Sequence, residues 1–389
     1  MKFLHTSDWH LGHTLYGYDR DVEQQDMLNQ IKEIIKTTQP DVMVLSGDVY
    51  HTSQPSAAVQ TMFSEAIVAM HDACPSMIIV ATAGNHDSGS KHEIFQTPWR
   101  ALKVHTIGNI DKEHPENHII EVPGKGWVVA MPYAYERNIP EGFFQQALDL
   151  VSERNTQGLP VIMMAHTTVS GCNFKGHEDV NEKTVGGIDS LEVSALGTGY
   201  DYLALGHIHH AQFIHGTEKR VHYCGSPLAV SFDEDYDHSV SIVEIDKHGD
   251  TPQVETITIK PIRPLVSLPR DSVATWDEVK KLLEDFPSNN PAYIRLNVEV
   301  EDFLPVGANE EAQVIAANKE CKVCHINTKR PERKRSQDQA LTVQELQQIA
   351  PIEIAKRYIS NLNSNVPFDD DMEAMFREAQ EAVNQEKNK

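Results

Sequence analysis

Five short fragments of this 389-residue chain carry side chains suited to metal-assisted hydrolysis. They are Ser7-Asp8-Trp9-His10-Leu11-Gly12, Gly47-Asp48, Gly84-Asn85-His86-Asp87, Ala165-His166 and Gly206-His207-Ile208-His209. Each comes directly after an apolar run. Strand ends and the loops that follow them are where α/β folds place their sites. Fragments far apart in sequence are therefore expected to converge at one edge of the sheets. Asp8 and His10 are two residues apart, as are His207 and His209. In extended backbone, residues i and i+2 point to the same side, so each pair is expected to present two ligands to one place. The glycines beside Asp48, Asn85 and His207 permit tight turns and close backbone approach.

The donor atoms are oxygen and nitrogen, with no thiolate. A mixed carboxylate and imidazole set suits Mn²⁺, Fe or Zn²⁺ better than Ca²⁺ or a structural zinc. Seven candidates, Asp8, His10, Asp48, Asn85, His166, His207 and His209, are too many for one ion. Two ions sharing Asp48 as a bridge would each receive four protein ligands, leaving positions for water and substrate. The chain has 20 histidines, so a single one says little. His5, His13, His71, His92, His105, His215 and His222 are each read as structural or surface residues. The weight rests on the order, spacing and strand-end placement of the five fragments together.

The elements that must position these residues are legible as short apolar runs. The expected strands are Lys2–Thr6, Asp41–Ser46, Met77–Ala81, Gly126–Met131, Val161–Ala165, Tyr202–Leu205, Val221–Tyr223, Ser239–Ile245 and Val254–Ile259. Several are rich in Val and Ile and bounded by Gly or Pro. Helical patterns at Val22–Thr37 and Ser56–His71 lie between the early strands, which predicts an α/β fold. The later strands follow one another closely, so part of the sheet system is expected to be antiparallel.

A domain boundary is expected near Pro261-Ile262-Arg263-Pro264, giving a main domain over residues 1–260. Beyond it, a strand at Leu265–Leu268, a helix from Thr275 to Phe286, a strand at Tyr293–Val300 and a further strand within Val314–Ile326 predict a small α+β domain over 261–328. Residues 329–389 form a basic linker, Lys329-Arg330-Pro331-Glu332-Arg333-Lys334-Arg335, and C-terminal helices. The linker reads either as a contact for nucleic acid or a partner, or as solvated chain. Thr342 with Glu345 makes a capping box, Leu341 with Leu346 a hydrophobic staple, and Pro351 a break. Met372, Met375, Phe376, Ala379 and Val383 form a stripe at helical spacing, to dock on the chain's own domain or on a partner.

Composition bounds the reading. Hydrophobic residues are 40% and charged residues 23%, ordinary for a globular protein. No apolar run approaches membrane-spanning length and the N-terminus lacks a secretory pattern, so a cytoplasmic protein is expected. The five cysteines suggest no disulfide framework. Cys321 and Cys324, followed by His325, are either half of a zinc site or ordinary strand and loop residues. The net charge of −23 weighs against a protein that holds nucleic acid by a basic face of its own. Net charge does not describe one local groove, however, and bound divalent cations reverse the sign of a carboxylate-rich site.

The order D-x-H, G-D, G-N-H-D, H and G-H-x-H resembles the calcineurin-like metallophosphoesterase superfamily. That resemblance implies a β-sandwich flanked by helices with a dinuclear metal centre at its edge. Within the superfamily the chain is similar to the SbcD-like branch of DNA nucleases. The branch marks are His5 to Gly12, Gly47-Asp48-Val49-Tyr50-His51 with Pro55-Ser56, Gly84 to Asp87, Tyr223-Cys224-Gly225-Ser226-Pro227-Leu228, and Ser231-Phe232-Asp233-Glu234. The likeness is strong over residues 1–240 and only architectural beyond. It implies one metal on Asp8, His10, Asp48 and His209, and a second on Asp48, Asn85, His166 and His207. His86 would face the substrate phosphate as a catalytic group rather than a ligand. His51 stands where many bacterial relatives carry Asp, and its implied role is on the DNA backbone.

The resemblance further implies two divalent ions, Mn²⁺ above all, activating a hydroxide for attack on a DNA phosphodiester. Asp87 is expected either to orient His86 or to form a turn. The expected partners are DNA, an SbcC-like ATPase bound through the C-terminal helices, and a second copy of the chain through the nuclease domain, with the small domain capping the DNA. Exonuclease action on duplex ends and endonuclease action on hairpins and single strands follow from the same likeness. Two rivals share the scaffold: a protein phosphatase or cyclic-nucleotide phosphodiesterase, and a non-catalytic protein that has lost its metals.

Overall fold

A computed structural model describes residues 1–176 and 190–330, together with 352, 353, 356, 369 and 372–377. The chain divides into Met1–Arg330 and Pro331–Lys389. The larger unit is built on two six-stranded sheets. The first runs, edge to edge, Gln253–Thr258, Ser239–Glu244, Lys2–Thr6, Val42–Ser46, Ile78–Thr82, Val104–Ile107. Its last four strands are parallel and its first two antiparallel. The second runs Gln212–Phe213, Val221–Tyr223, Tyr202–Gly206, Val161–His166, Gly126–Ala130, Ile119–Val122. Its four central strands are parallel, and an antiparallel strand closes each edge.

Period-two alternation explains the layering. Phe3, Val42, Val44 and Val80 of the first sheet meet Val128, Ile162, Met164 and Ala204 of the second in a shared core. The intervening Leu4, Met43, Leu45 and Ile79 point the other way, onto helices Asp21–Thr38 and Ala57–Ala73. Met163, Leu203 and Leu205 likewise meet helix Phe143–Arg154. Buried on both faces, the central strands read as unbroken apolar runs rather than as alternating ones. The result is the helix-flanked sandwich expected from the sequence. The strands Val104–Ile107 and Ile119–Val122 and the helix Phe143–Arg154 are additions to that expectation.

Within the same unit, the segment expected as a small domain has a parallel three-stranded sheet, Leu265–Leu268, Tyr293–Glu299 and Lys322–Lys329, covered by helices Trp276–Asp285 and Ala308–Ala316 over a core of its own. The first helix starts where Thr275 donates to the Glu278 carboxylate from its N–H at 3.0 Å and its hydroxyl at 2.7 Å. The strand expected within Val314–Ile326 begins at Lys322 and runs on to Lys329, and residues 308–316 before it are helical. Ala308, Ala312 and Ala316 form a four-residue repeat that packs as a helix face.

This domain is fastened to the sandwich. Tyr293 is fully buried, its hydroxyl donates to Glu23 at 3.1 Å, and the guanidinium groups of Arg20 and Arg263 lie 5.8 and 5.4 Å from its ring centre. Arg295 pairs with Asp233 at 2.6 Å. Cys321 and Cys324 are free thiols. Among the described residues, no cysteine belongs to a group spaced to hold a metal ion.

In the C-terminal unit, Lys356 and Arg377 both reach Glu373, at 2.9 and 2.7 Å. Met372 and Phe376 are half-buried and Met375 is exposed. Pro331–Arg335 of the basic linker, the Thr342–Glu345 and Leu341–Leu346 pairs, Pro351, Ala379 and Val383 lie outside the described residues. No helix among the described residues is long and apolar enough to cross a membrane.

Candidate metal centre

Six of the seven candidate ligands sit at or just past the C-terminal ends of strands Lys2–Thr6, Val42–Ser46, Val161–His166 and Tyr202–Gly206, drawn from both sheets. Asn85 follows Ile78–Thr82 by three residues. Past the strand ends the chains stay bonded. The Asp8 N–H donates to the Gly47 carbonyl, His10 to Asp48, and Leu11 to Val49, each at 3.0 Å. This pairing fixes the two loops against each other.

The expectation of extended backbone at the paired ligands is corrected. Asp8, His10, Asp48 and His207 have φ of 54, 45, 50 and 94°, all left-handed. Non-glycine residues rarely adopt this region, and at functional sites such strain is held by the surrounding structure. Glycine would suit the backbone but would forfeit the ligand. Turning the chain at each ligand, rather than extending it, aims Asp8 and His10 inward. Gly84 is needed for a different reason: a Cβ there would overlap the Asp48 carboxylate.

The side chains converge. His10 Nε2 lies 3.1 Å from His209 Nε2 and 3.8 Å from Asp48 Oδ2. His166 Nε2 lies 3.3 Å from the same Asp48 oxygen and 3.0 Å from Asn85 Oδ1. His207 Nδ1 is also 3.0 Å from Asn85 Oδ1. Asp8 accepts from the His207 N–H at 3.0 Å and stands 4.0 Å from His166. Asp48 lies between the two halves of the cluster and accepts the His86 N–H at 2.9 Å.

Electrostatics make this a site in need of cations. Asp8 and Asp48 are buried, at 1% and 2% exposure. Burial pushes the Asp8 carboxyl up. Burial opposes ionisation of Asp48 too, yet His166, by charge and hydrogen bond, and then His10 hold it below the usual carboxylate range. His166 and His209 work against burial as well. Asp48 lifts the first to about 9 and Glu234 the second to about 9. Burial depresses His10. Protons on these imidazoles occupy positions that metal ions would take. Facing ring nitrogens, two buried carboxylates and an amide oxygen fit divalent cations of the Mn²⁺ or Zn²⁺ type. Asp8, His10 and His209 form one group spaced for an ion, and Asp8, Asp48 and His166 another.

The outer partners set which nitrogen faces inward. His166 Nδ1 donates to the Ser46 carbonyl at 2.8 Å, leaving Nε2 for the centre. His209 Nδ1 lies 3.0 Å from Glu234 Oε1, both side chains buried. In the sequence Glu234 is only part of a branch mark. Its pairing with His209 spans 25 residues and leaves no local mark in the sequence.

His86 lies at the rim. Its Nδ1 donates to the His51 carbonyl at 2.9 Å, and its ring stacks on that of His51 at 5.5 Å. Of the two roles expected for Asp87, to orient His86 or to form a turn, its contacts are those of the turn. The Asp87 carboxylate is taken up by the N–H groups of Val49, Tyr50 and Gly84 at 3.1, 2.9 and 2.9 Å. Its position in a tight turn, facing three backbone donors, makes it the brace between two site loops. His51 packs against His10 and His13 as well as His86. Burial draws His51 down to about 4 and His13 to about 3, so both rings are neutral at ordinary pH. His13, read from sequence as structural, thus belongs to the wall behind His51.

Comparison with known proteins fits this geometry. The profile of the calcineurin-like phosphoesterases matches residues 1–211, over half of the chain. A second profile, named for the type 5 capsule protein repressor C-terminal domain, matches residues 261–362. The SbcD subunit of the nuclease SbcCD from Bacillus subtilis is 32% identical over 324 residues, covering 78% of this chain and 80% of that protein. The protein of the same name from Escherichia coli K12 is 26% identical over 330 residues, covering 78% and 79%. Among solved structures, TT1561 of Thermus thermophilus aligns with 67% of this chain and 99% of its own at 14% identity and a TM-score of 0.40, too loose a likeness to carry an argument.

Proposed function

This chain belongs to the calcineurin-like phosphoesterase family, in the branch of the SbcD subunits of SbcCD nucleases, and we propose the residue roles through which it cuts DNA. It is a hydrolase of DNA phosphodiester bonds and the nuclease subunit of an SbcCD-type assembly. Asp8, His10, Asp48 and His209 hold one divalent ion. Asp48, Asn85, His166 and His207 hold a second, with Asp48 shared. Mn²⁺ is the favoured metal on the likeness to the SbcD branch, and the thiolate-free mix of carboxylate oxygens and imidazoles admits it. The observation that carries this reading is the convergence of the other six candidate side chains on the cluster that Asp48 divides, with the His86 ring alongside but bonded elsewhere.

When bound, such an ion pair supplies a nucleophile activated near neutral pH and positive charge for the phosphate oxygens. The protein supplies the rest. Backbone pairing between the Asp8 and Asp48 loops fixes the two carboxylates. The His51 carbonyl holds the Nδ1 proton of His86, so Nε2 is the atom that meets the phosphate or protonates the leaving sugar oxygen. General acid help of this kind contributes roughly 10²–10⁴-fold. His51, neutral and stacked on His86, lines the substrate side and contacts the DNA backbone.

The same centre serves exonuclease action on duplex ends and endonuclease action on hairpins and single strands. The small domain caps the DNA. The C-terminal helices bind the SbcC-like ATPase, and the exposed Met375 suits such a contact. Two copies join through the nuclease domain, and the assembly works in the cytoplasm. A partner that contributes DNA-binding surface answers the net charge of −23.

The test is cleavage of end-labelled duplex and hairpin DNA by the purified chain with Mn²⁺ or Mg²⁺, alone and with the ATPase and ATP. His86→Ala is expected to keep both metals and lose roughly 10²–10⁴-fold in rate. Cleavage of phosphopeptides or cyclic nucleotides in place of DNA would support the phosphatase or cyclic-nucleotide reading.

A further inference from the structure

The chain leaving strand Gly126–Ala130 carries two tyrosines that no step above uses. In Met131-Pro132-Tyr133-Ala134-Tyr135, the Tyr133 N–H donates to the Ala83 carbonyl at 2.8 Å, and the Met131 N–H to the Met164 carbonyl at 3.0 Å. The loop is thereby tied both to the turn that carries Asn85 and to the strand that carries His166. The Tyr133 ring stands edge-on to His166, with centroids 6.3 Å apart. Tyr135 lies 5.6 Å beyond, again at a steep angle of 69°, and is 54% exposed. The Arg137 guanidinium sits 5.3 Å from the Tyr135 ring centre. Two aromatic rings and a cation thus lead outward from a candidate metal ligand.

We infer that Tyr135, backed by Tyr133 and Arg137, is a stacking platform for an unpaired base of the substrate strand beside the scissile phosphate. The inference rests on the DNA-cleaving role proposed above. Every base has a π-face, so stacking on an aromatic side chain binds nucleic acid without reading sequence. It also suits an acidic protein, because its strength does not depend on a field of lysines. A base within a duplex has both faces covered by its neighbours. Only a hairpin tip, a frayed end or a single strand presents a face to Tyr135. The platform therefore favours unpaired nucleotides at the centre.

The experiment uses the full-length chain with Mn²⁺ and three substrates: a single-stranded oligothymidylate, an oligomer of equal length with abasic tetrahydrofuran residues in place of thymidine, and methyl p-nitrophenyl phosphate. Tyr135→Ala is expected to lower kcat/KM on oligothymidylate roughly 5- to 150-fold, chiefly through KM, the range set by loss of one stacked base. Its rates on the abasic oligomer and the small ester should match those of the unmodified protein, and Tyr135→Trp should retain oligothymidylate cleavage. Full activity of Tyr135→Ala on oligothymidylate overturns the platform. So does an equal loss on all three substrates, which marks a structural role. Equal cleavage of the two oligomers by the unmodified protein removes the platform and leaves the nuclease standing. Hydrolysis of the small ester with neither oligomer cut removes the DNA-cleaving role, and the platform with it.

Discussion

Glu234→Gln should weaken binding of one metal ion and spare the other. The two candidate ion positions share Asp48 but differ in what stands behind their histidines. His166 is backed by the neutral Ser46 carbonyl, and His209 by the Glu234 carboxylate at 3.0 Å. Both members of the latter pair are buried, with side chains 8% and 1% exposed. Burial alone would lower the His209 value, yet the imidazolium is held at about 9, first by Glu234 and then by Asp8 and Asp48. Against an ordinary value of 6.5 that rise is a net of about 3 kcal/mol, the pull of Glu234 and the two aspartates less the opposing cost of burial. Loss of a carboxylate behind a ligating histidine typically costs 10–100-fold in metal affinity, or about 1.4–2.7 kcal/mol. Glutamine keeps the shape and can still accept from His209 Nδ1, so the fold and ring orientation are preserved while the charge is lost. Titration of the metal-free protein with Mn²⁺ by calorimetry should resolve two binding steps. The step assigned to Asp8, His10, Asp48 and His209 should weaken about tenfold in Glu234→Gln and further in Glu234→Ala, with the other step nearly unchanged. Equal weakening of both steps, or of neither, would refute the assignment of His209 and Glu234 to one ion.

Mn²⁺ binding to metal-free protein should release protons at neutral pH, because His166 and His209 are both held at about 9 until an ion displaces them. Affinity should rise with pH up to that value and then level off, and calorimetry in buffers of different ionisation enthalpy would count the protons. Acid stability offers a check away from the metals. Burial draws His222 down to about 3, so between the unfolded value of 6.5 and about 3 only the unfolded chain takes up its proton. The stability it contributes is complete above pH 6.5 and is lost as pH falls toward 3, at about 1.4 kcal/mol per pH unit. Urea melts with chelator present should show that slope reduced by about one proton in His222→Asn.

How much of this was legible in the sequence follows from what each feature depends on. The seven candidate ligands were readable because each pairs a specific side chain with a place at or soon after the end of an apolar strand, and both marks are local. The conformation that aims them was not. Left-handed backbone at Asp8, His10, Asp48 and His207 leaves no compositional sign when the chemistry forbids glycine there. The supporting contacts were hidden for a different reason. Glu234 meets His209 across 25 residues, and the His51 carbonyl meets His86 across 35. A backbone carbonyl carries no residue identity at all. Asp87 shows the converse: its neighbour in sequence suggested a partner, but its carboxylate is taken by the N–H groups of Val49 and Tyr50 on the facing loop and of Gly84 in its own turn. Local chemistry therefore names the ligands of such a centre, while tertiary contacts decide which nitrogen each histidine offers. That division makes Glu234 a sharper test of the site than a change to any ligand, since loss of a ligand abolishes binding under almost any assignment, whereas loss of Glu234 must fall on one ion alone.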